Sequence, residues 1–182
     1  MLAYFLILMA LIPVNGLFAM AELAVFTSRA TRLREQAQAG SRGARAALRL
    51  LDDPTRFLST VQFYITLIGV LAGVYSGVQF AEPLAAWLAH FEPLVPLAEY
   101  LDTASYAIVV VGVTFLSLVI GELVPKRWAL TNPEAIAAAL ARPMELLPIP
   151  SKPFVWVLQA SPELVARLLG LRNSTNPDAR AE

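Results

Sequence analysis

Two glutamates, Glu22 and Glu122, stand at the ends of apolar runs where a carboxylate is costly. The second lies in Ile120-Gly121-Glu122-Leu123-Val124-Pro125-Lys126-Arg127-Trp128. Proline has no N–H, so Pro125 cannot serve the carbonyl four residues back, which belongs to Gly121. Gly121 has no side chain to cover that oxygen, so the spacing sets an unpaired backbone carbonyl beside the Glu122 carboxylate. Such backbone is tolerated at membrane depth only where it is buried in protein or lines a cavity. Oxygens of this kind suit a hard cation such as Mg²⁺, Ca²⁺ or Na⁺. Glu22 and Glu122 each fall about 20 residues into an apolar run, so at ~1.5 Å per residue they reach similar depth and can face each other around one ion. A second reading stands beside this one. Glu22 precedes Arg29, and Glu122 is one turn from Lys126, so both acids could be boundary residues that snorkel to the interface.

The elements that must position these groups are apolar spans. Residues 1–21, 57–81 and 103–121 carry no charged side chain. Crossing about 30 Å of hydrocarbon takes roughly 20 helical residues, so three transmembrane helices are expected, over about 2–28, 57–81 and 103–124. The middle span carries Gln62, Thr66 and the series Gly69, Gly73, Gly77. Small residues four apart make one helix face fit for close packing, and Thr66 with the Gly69 carbonyl could also reach a shared cavity. A cleaved signal peptide is the competitor for the first span, but no basic residue precedes the apolar run.

Charge placement orients the spans. Arg29, Arg32, Arg34, Arg42, Arg45, Arg49 and Arg56 lie between the first two. Glu82, Glu92, Glu99 and Asp102, with His90, lie between the second and third. Lys126, Arg127, Arg142 and Lys152 follow. Positive-inside counting then puts the N-terminus outside and the C-terminus in the cytoplasm. The arginine-rich insertion, residues 29–55, reads as two short helices separated by Gly40, with Ser41 as N-cap of the second. Ala44, Ala47, Leu48 and Leu51 form its apolar face, the pattern of a helix lying on the membrane interface. Asn132-Pro133-Glu134 starts a further helix, capped by Asn132 and running to about Arg142, where Pro143 breaks it. Residues 1–148 form the transmembrane domain, 149–171 juxtamembrane interfacial helices, and 172–182 a polar linker.

Composition closes off other classes. The 182-residue chain is 57% apolar and 15% charged, with a mean hydropathy of +0.60, which points to an all-α integral membrane protein. Cysteine is absent and His90 is the one histidine, so thiolate chemistry, His clusters and Ser-His triads are excluded. No phosphate loop or basic nucleic-acid stripe appears, and neither an enzyme nor a nucleic-acid binder is expected.

Gly121-Glu122-Leu123-Val124-Pro125-Lys126 resembles the G-E-x-x-P-K signature of the CNNM/CorC transmembrane domain, also called DUF21. Phe18-Ala19-Met20-Ala21-Glu22-Leu23-Ala24 is similar to the first-helix segment of that family, and Arg56 to Gln62 with Thr66 to Gly69 to its second. The resemblance covers nearly the whole chain. It implies a homodimer in a bacterial inner membrane, with an acidic cavity facing the cytoplasm. It implies transport of Mg²⁺ or Co²⁺, as Na⁺-dependent export; joined to the residue reading above, this puts Glu122, the Gly121 carbonyl and Glu22 at the site, with Thr66 and Gly69 reaching the same cavity and Pro125 and Lys126 beside it. It also implies a following CBS pair, which would bind nucleotide, and a CorC/HlyC domain. The chain departs from the family's Mg²⁺ pattern where Ala19, Met20 and Ala21 replace a serine-rich segment and Gly69 replaces an asparagine. Those changes leave carboxylates and backbone as ligands. Some branches of the family are linked to polyamine export, which would use the same carboxylates, and a non-transporting membrane anchor for regulatory domains is the third reading.

Overall fold

Long apolar stretches free of internal charge become long helices. A computed structural model describes residues 2–90, 98–149 and seven positions between 151 and 161. The helices are α1 (Leu2–Thr27), α2 (Ala30–Gln38), α3 (Arg42–Asp52), α4 (Pro54–Leu88), α5 (Ala98–Leu118), α6 (Val124–Ala129) and α7 (Pro133–Met144). A π-helical turn, Val119–Leu123, joins α5 to α6. The fold is all-α, with no strand among the described residues. Three helices are long and apolar enough to cross a membrane: Ala3–Thr27, Pro54–Leu88 and Tyr100–Ala129. The middle helix extends beyond the uncharged 57–81 at both ends, and the third continues through Pro125 to Ala129.

The insertion folds as its caps dictate. Ser41 Oγ accepts the Ala44 N–H at 3.2 Å and starts α3. Asp53 Oδ1 accepts the Arg56 N–H at 3.2 Å and starts α4. Gly40 takes φ +99° between α2 and α3, a conformation only glycine adopts freely. The apolar face of α3 is not laid on lipid, as its amphipathic pattern suggested. Ala44, Ala46 and Ala47 are wholly buried, in a core shared with Ala21 and Ala24 of α1, Val61 and Ile65 of α4, and Ala137 and Ala141 of α7. A Cβ at Gly43 would collide with the Ala138 carbonyl, so α3 and α7 touch through backbone. Small side chains let these helices close tightly. The larger Leu33 of α2, outside the spans and 0% exposed, adds about 1.5–3 kcal/mol by burial.

Two local expectations are corrected. Asn132 is the N-cap residue and Pro133 the first of α7, as expected, but the Asn132 side chain makes no cap bond, and α7 continues through Pro143 to Met144. Pro143 is tolerated because it falls in the last turn, where one lost bond frays little. Phe154 stacks on Phe63 at 5.2 Å between ring centres. Glu92, most of 149–171 and all of 172–182 lie outside the described residues.

Candidate intramembrane cation site

The third span bends its hydrogen-bond ladder where Pro125 enters. The Val124 N–H reaches the Val119 carbonyl, five residues back, as a π-turn requires. In that register Pro125 would have to serve Ile120 at five residues or Gly121 at four, and it serves neither. The Gly121 carbonyl is not left open, however. Asn15 Nδ2, from the middle of α1, donates to it at 3.2 Å. Asn15 is 4% exposed, and its Oδ1 is buried without a partner among the described residues.

Close approach of α1 makes that hydrogen bond reachable. A Cβ at Gly121 would stand 3.1 Å from the Ile12 carbonyl and 3.3 Å from Asn15 Nδ2. A Cβ at Gly16 would stand 2.9 Å from Pro125 Cγ. One glycine on each helix, with buried Pro125 between them, therefore fixes the contact. Pro125 acts as a packing wedge as well as a missing donor.

Glu22 and Glu122 converge as their depths suggested, with Lys126 between them. Lys126 Nζ lies 2.7 Å from Glu122 Oε1 and 3.4 Å from Glu22 Oε2. The side chains of Lys126 and Glu122 are each 30% exposed and that of Glu22 18%, so the cluster is partly buried and reachable. Two carboxylates and one ammonium leave one net negative charge. No group of three or more acidic, His or Cys side chains suited to a metal occurs among the described residues, so further ligands would have to be neutral oxygens.

The remaining candidates of α4 sit apart. Thr66 is exposed, accepts from Gln62 Nε2 at 3.5 Å, and lines a surface groove with Phe63, Leu67 and Val70. Ile65 and Ile68 carry the buried face instead. A Cβ at Gly77 would come within 2.6 Å of Tyr106, whereas at Gly69 or Gly73 it would meet nothing within 4 Å. Asn15 is the group that the sequence reading missed. A lone amide on an apolar span before Gly16 was the signal, and only the contact with Gly121 gives it meaning.

Outside the spans, Arg49 clasps Glu145 with two hydrogen bonds, Nε to Oε1 at 2.6 Å and Nη2 to Oε2 at 2.9 Å. Those bonds hold the Glu145 carboxyl below its ordinary range, against partial desolvation, with the charges of Arg49 and Arg142 adding. The pair ties α3 to the end of α7. On the other side, Glu134 is buried and accepts the Arg29 N–H at 3.4 Å, joining the start of α7 to that of α2.

Three apolar helices, the third carrying a π-turn before Pro125, define a multi-pass membrane protein, with an acidic pair and its counter-charge where the first and third helices meet. The chain belongs to the cyclin M transmembrane N-terminal domain family, CNNM, whose profile matches residues 6–182. It is 42% identical over 161 residues, 88% of this chain and 35% of the relative, to UPF0053 protein sll0260 of Synechocystis. UPF0053 protein YhdT of Bacillus subtilis is 31% identical over 92% of this chain and 36% of its own length. The Polyamine export protein of Escherichia coli is 25% identical over 94% of this chain and 37% of its own length. The chain thus spans little more than a third of these relatives.

Proposed function

We propose that this chain is the membrane domain of a cation transporter in which Glu22 and Glu122 form the charged walls of the cargo site. The supporting observation is the convergence of two partly buried carboxylates, from different spans, on a single positive charge. Ionisable side chains within apolar spans are costly, most of all at the bilayer centre, so acids brought together from two spans default to a functional reading. The cargo that best matches the oxygens is Mg²⁺ or Co²⁺. The two carboxylates supply charge, and the carbonyl of Gly121, the residue before Glu122, is a neutral oxygen that a cation would have to take from Asn15 Nδ2. Hydrated Mg²⁺ keeps several waters, so few protein ligands suffice. Family membership supports a homodimer in a bacterial inner membrane, Na⁺-dependent export, the arginine-rich helices on the cytoplasmic side, and following CBS and CorC/HlyC domains.

A second cargo is favoured by one observation. The group between the carboxylates here is a primary ammonium, the same chemistry as the end of a diamine, and relatives from Escherichia coli and Salmonella typhimurium are named Polyamine export protein. Thermal unfolding in detergent with Mg²⁺ or putrescine, on wild type and Glu122→Gln, separates the readings. Mg²⁺ at millimolar levels is expected to raise the melting temperature of wild type and not of Glu122→Gln, whose unliganded fold stays intact. A response to putrescine alone would transfer the site to organic cations. No response to either, even with the Lys126 counter-charge removed, would leave a membrane anchor, and an undiminished Mg²⁺ response in Glu122→Gln would return both acids to the snorkelling reading.

A further inference from the structure

The cation-transport reading gives Lys126 no task, yet its ammonium fills the space between the two acids. It reaches Glu122 at 2.7 Å from one turn away and Glu22 at 3.4 Å from another span. Its flexible four-carbon stem and rotatable donors allow it to leave without moving the helix. Its partial exposure gives it somewhere to go.

We propose that Lys126 is a tethered competitor that holds the cargo's place and makes the site select divalent over monovalent cations, an inference that rests on the cation-transport reading. With the ammonium in place the cluster keeps one net negative charge. A monovalent ion that enters exchanges one positive charge for another, so it gains no Coulomb energy. It also has to compete with a tethered group, whose effective concentration is of roughly millimolar order. A divalent cation, or a diamine bearing two charges, neutralises both carboxylates once the ammonium has swung out. At an effective dielectric of about 20 the attraction near contact is several kcal/mol per unit charge, and doubling the ion's charge doubles it. A helix-surface pair would need only Glu122. The second acid, brought from α1, leaves the uncompensated charge that makes the exchange favour two charges over one.

The test compares Lys126→Gln with Lys126→Arg, using melting-temperature titrations with Mg²⁺, putrescine and Na⁺. Removing the competitor is expected to lower the apparent Kd for Mg²⁺ about tenfold and to make Na⁺ stabilise Lys126→Gln more than it does wild type. Lys126→Arg keeps the charge and is expected to stay close to wild type. Unchanged or weaker Mg²⁺ affinity in Lys126→Gln overturns the tethered competitor. The cation reading then still stands if wild type responds and Glu122→Gln does not. Silence of both wild type and Lys126→Gln toward Mg²⁺ and putrescine overturns both readings, while a response of Lys126→Gln alone supports both. A second measurement needs no variant. Lys126 and Lys152 are the two lysines of the chain, so acetylation by an N-hydroxysuccinimide ester can be read at each by mass spectrometry. Mg²⁺ is expected to raise labelling of Lys126 severalfold relative to Lys152, because the displaced ammonium reaches solvent. Labelling that stays level or falls overturns the proposal whatever the variants do.

Discussion

An amide buried in the middle of an apolar helix needs partners for both of its ends, and Asn15 finds one for its Nδ2. The acceptor is the Gly121 carbonyl that Pro125 cannot serve, so the two residues answer for the same oxygen from different helices. Asn15→Leu leaves that carbonyl bare in a buried place, which costs about 1–3 kcal/mol and should lower the melting temperature in detergent. Pro125→Ala restores an N–H four residues from Gly121. In that background the cost of Asn15→Leu should shrink, since a new donor stands ready. Costs that simply add in the double-mutant cycle would show that the two residues do not share an acceptor. The spacing of Gly121 and Pro125 was legible in sequence because it is a local rule of helices. The donor was not, because an asparagine in an apolar run reveals its partner only when α1 is laid against the π-turn.

At the scale of elements, glycines and one ion pair decide which helices meet. Gly43 lets α3 reach the backbone of α7, and no side chain fits between them. Gly43→Ala gains up to ~1 kcal/mol of helix propensity, yet overpacking of about 1–3 kcal/mol should outweigh it. A melting temperature at or above wild type would mean that α3 and α7 are further apart. The Arg49–Glu145 pair closes the same interface from its exposed edge, and pH can switch it. The folded value of Glu145 lies below its ordinary 4.5, so its contribution is full above that pH and is lost as pH falls through the folded value. Glu145→Gln should therefore be less stable than wild type at about pH 7, and the difference should close as pH falls through the lowered folded value. The effect is small, because the Arg49 side chain is 59% exposed. A difference that persists in acid would assign it to packing. Sequence reading located α2 and α3 because Gly40, Ser41 and Asp53 are short-range signals. It put α3 on the membrane surface because an amphipathic pattern reports that a face is buried, not what buries it.

For the whole molecule, the distribution of glycine along α4 bears on the homodimer proposed above. Gly77 is accounted for within the chain by Tyr106 of α5, but Gly69 and Gly73 face open space. Around them Val70, Val74 and Val78 are more than half exposed, as a helix facing lipid or another chain should be. Lipid alone gives no reason for glycine there, since each costs about 0.5–1 kcal/mol relative to alanine in a helix. Close approach of another helix does, because without side chains two backbones can pack at short range. A second copy of this chain is the partner that family membership suggests. Gly73→Leu should then leave the fold of one chain intact, because a Cβ there meets nothing within 4 Å. Its dimer fraction in detergent should fall, because the leucine would stand where the partner's backbone comes close. Size-exclusion chromatography with light scattering reads the second effect, and helical content with melting temperature reads the first. A variant that dimerises normally would place the contact on another exposed face, with α5 the next candidate because Ile108, Val111 and Phe115 are all uncovered there. A variant that unfolds would instead mean that the space beside Gly73 is occupied by the chain's own residues.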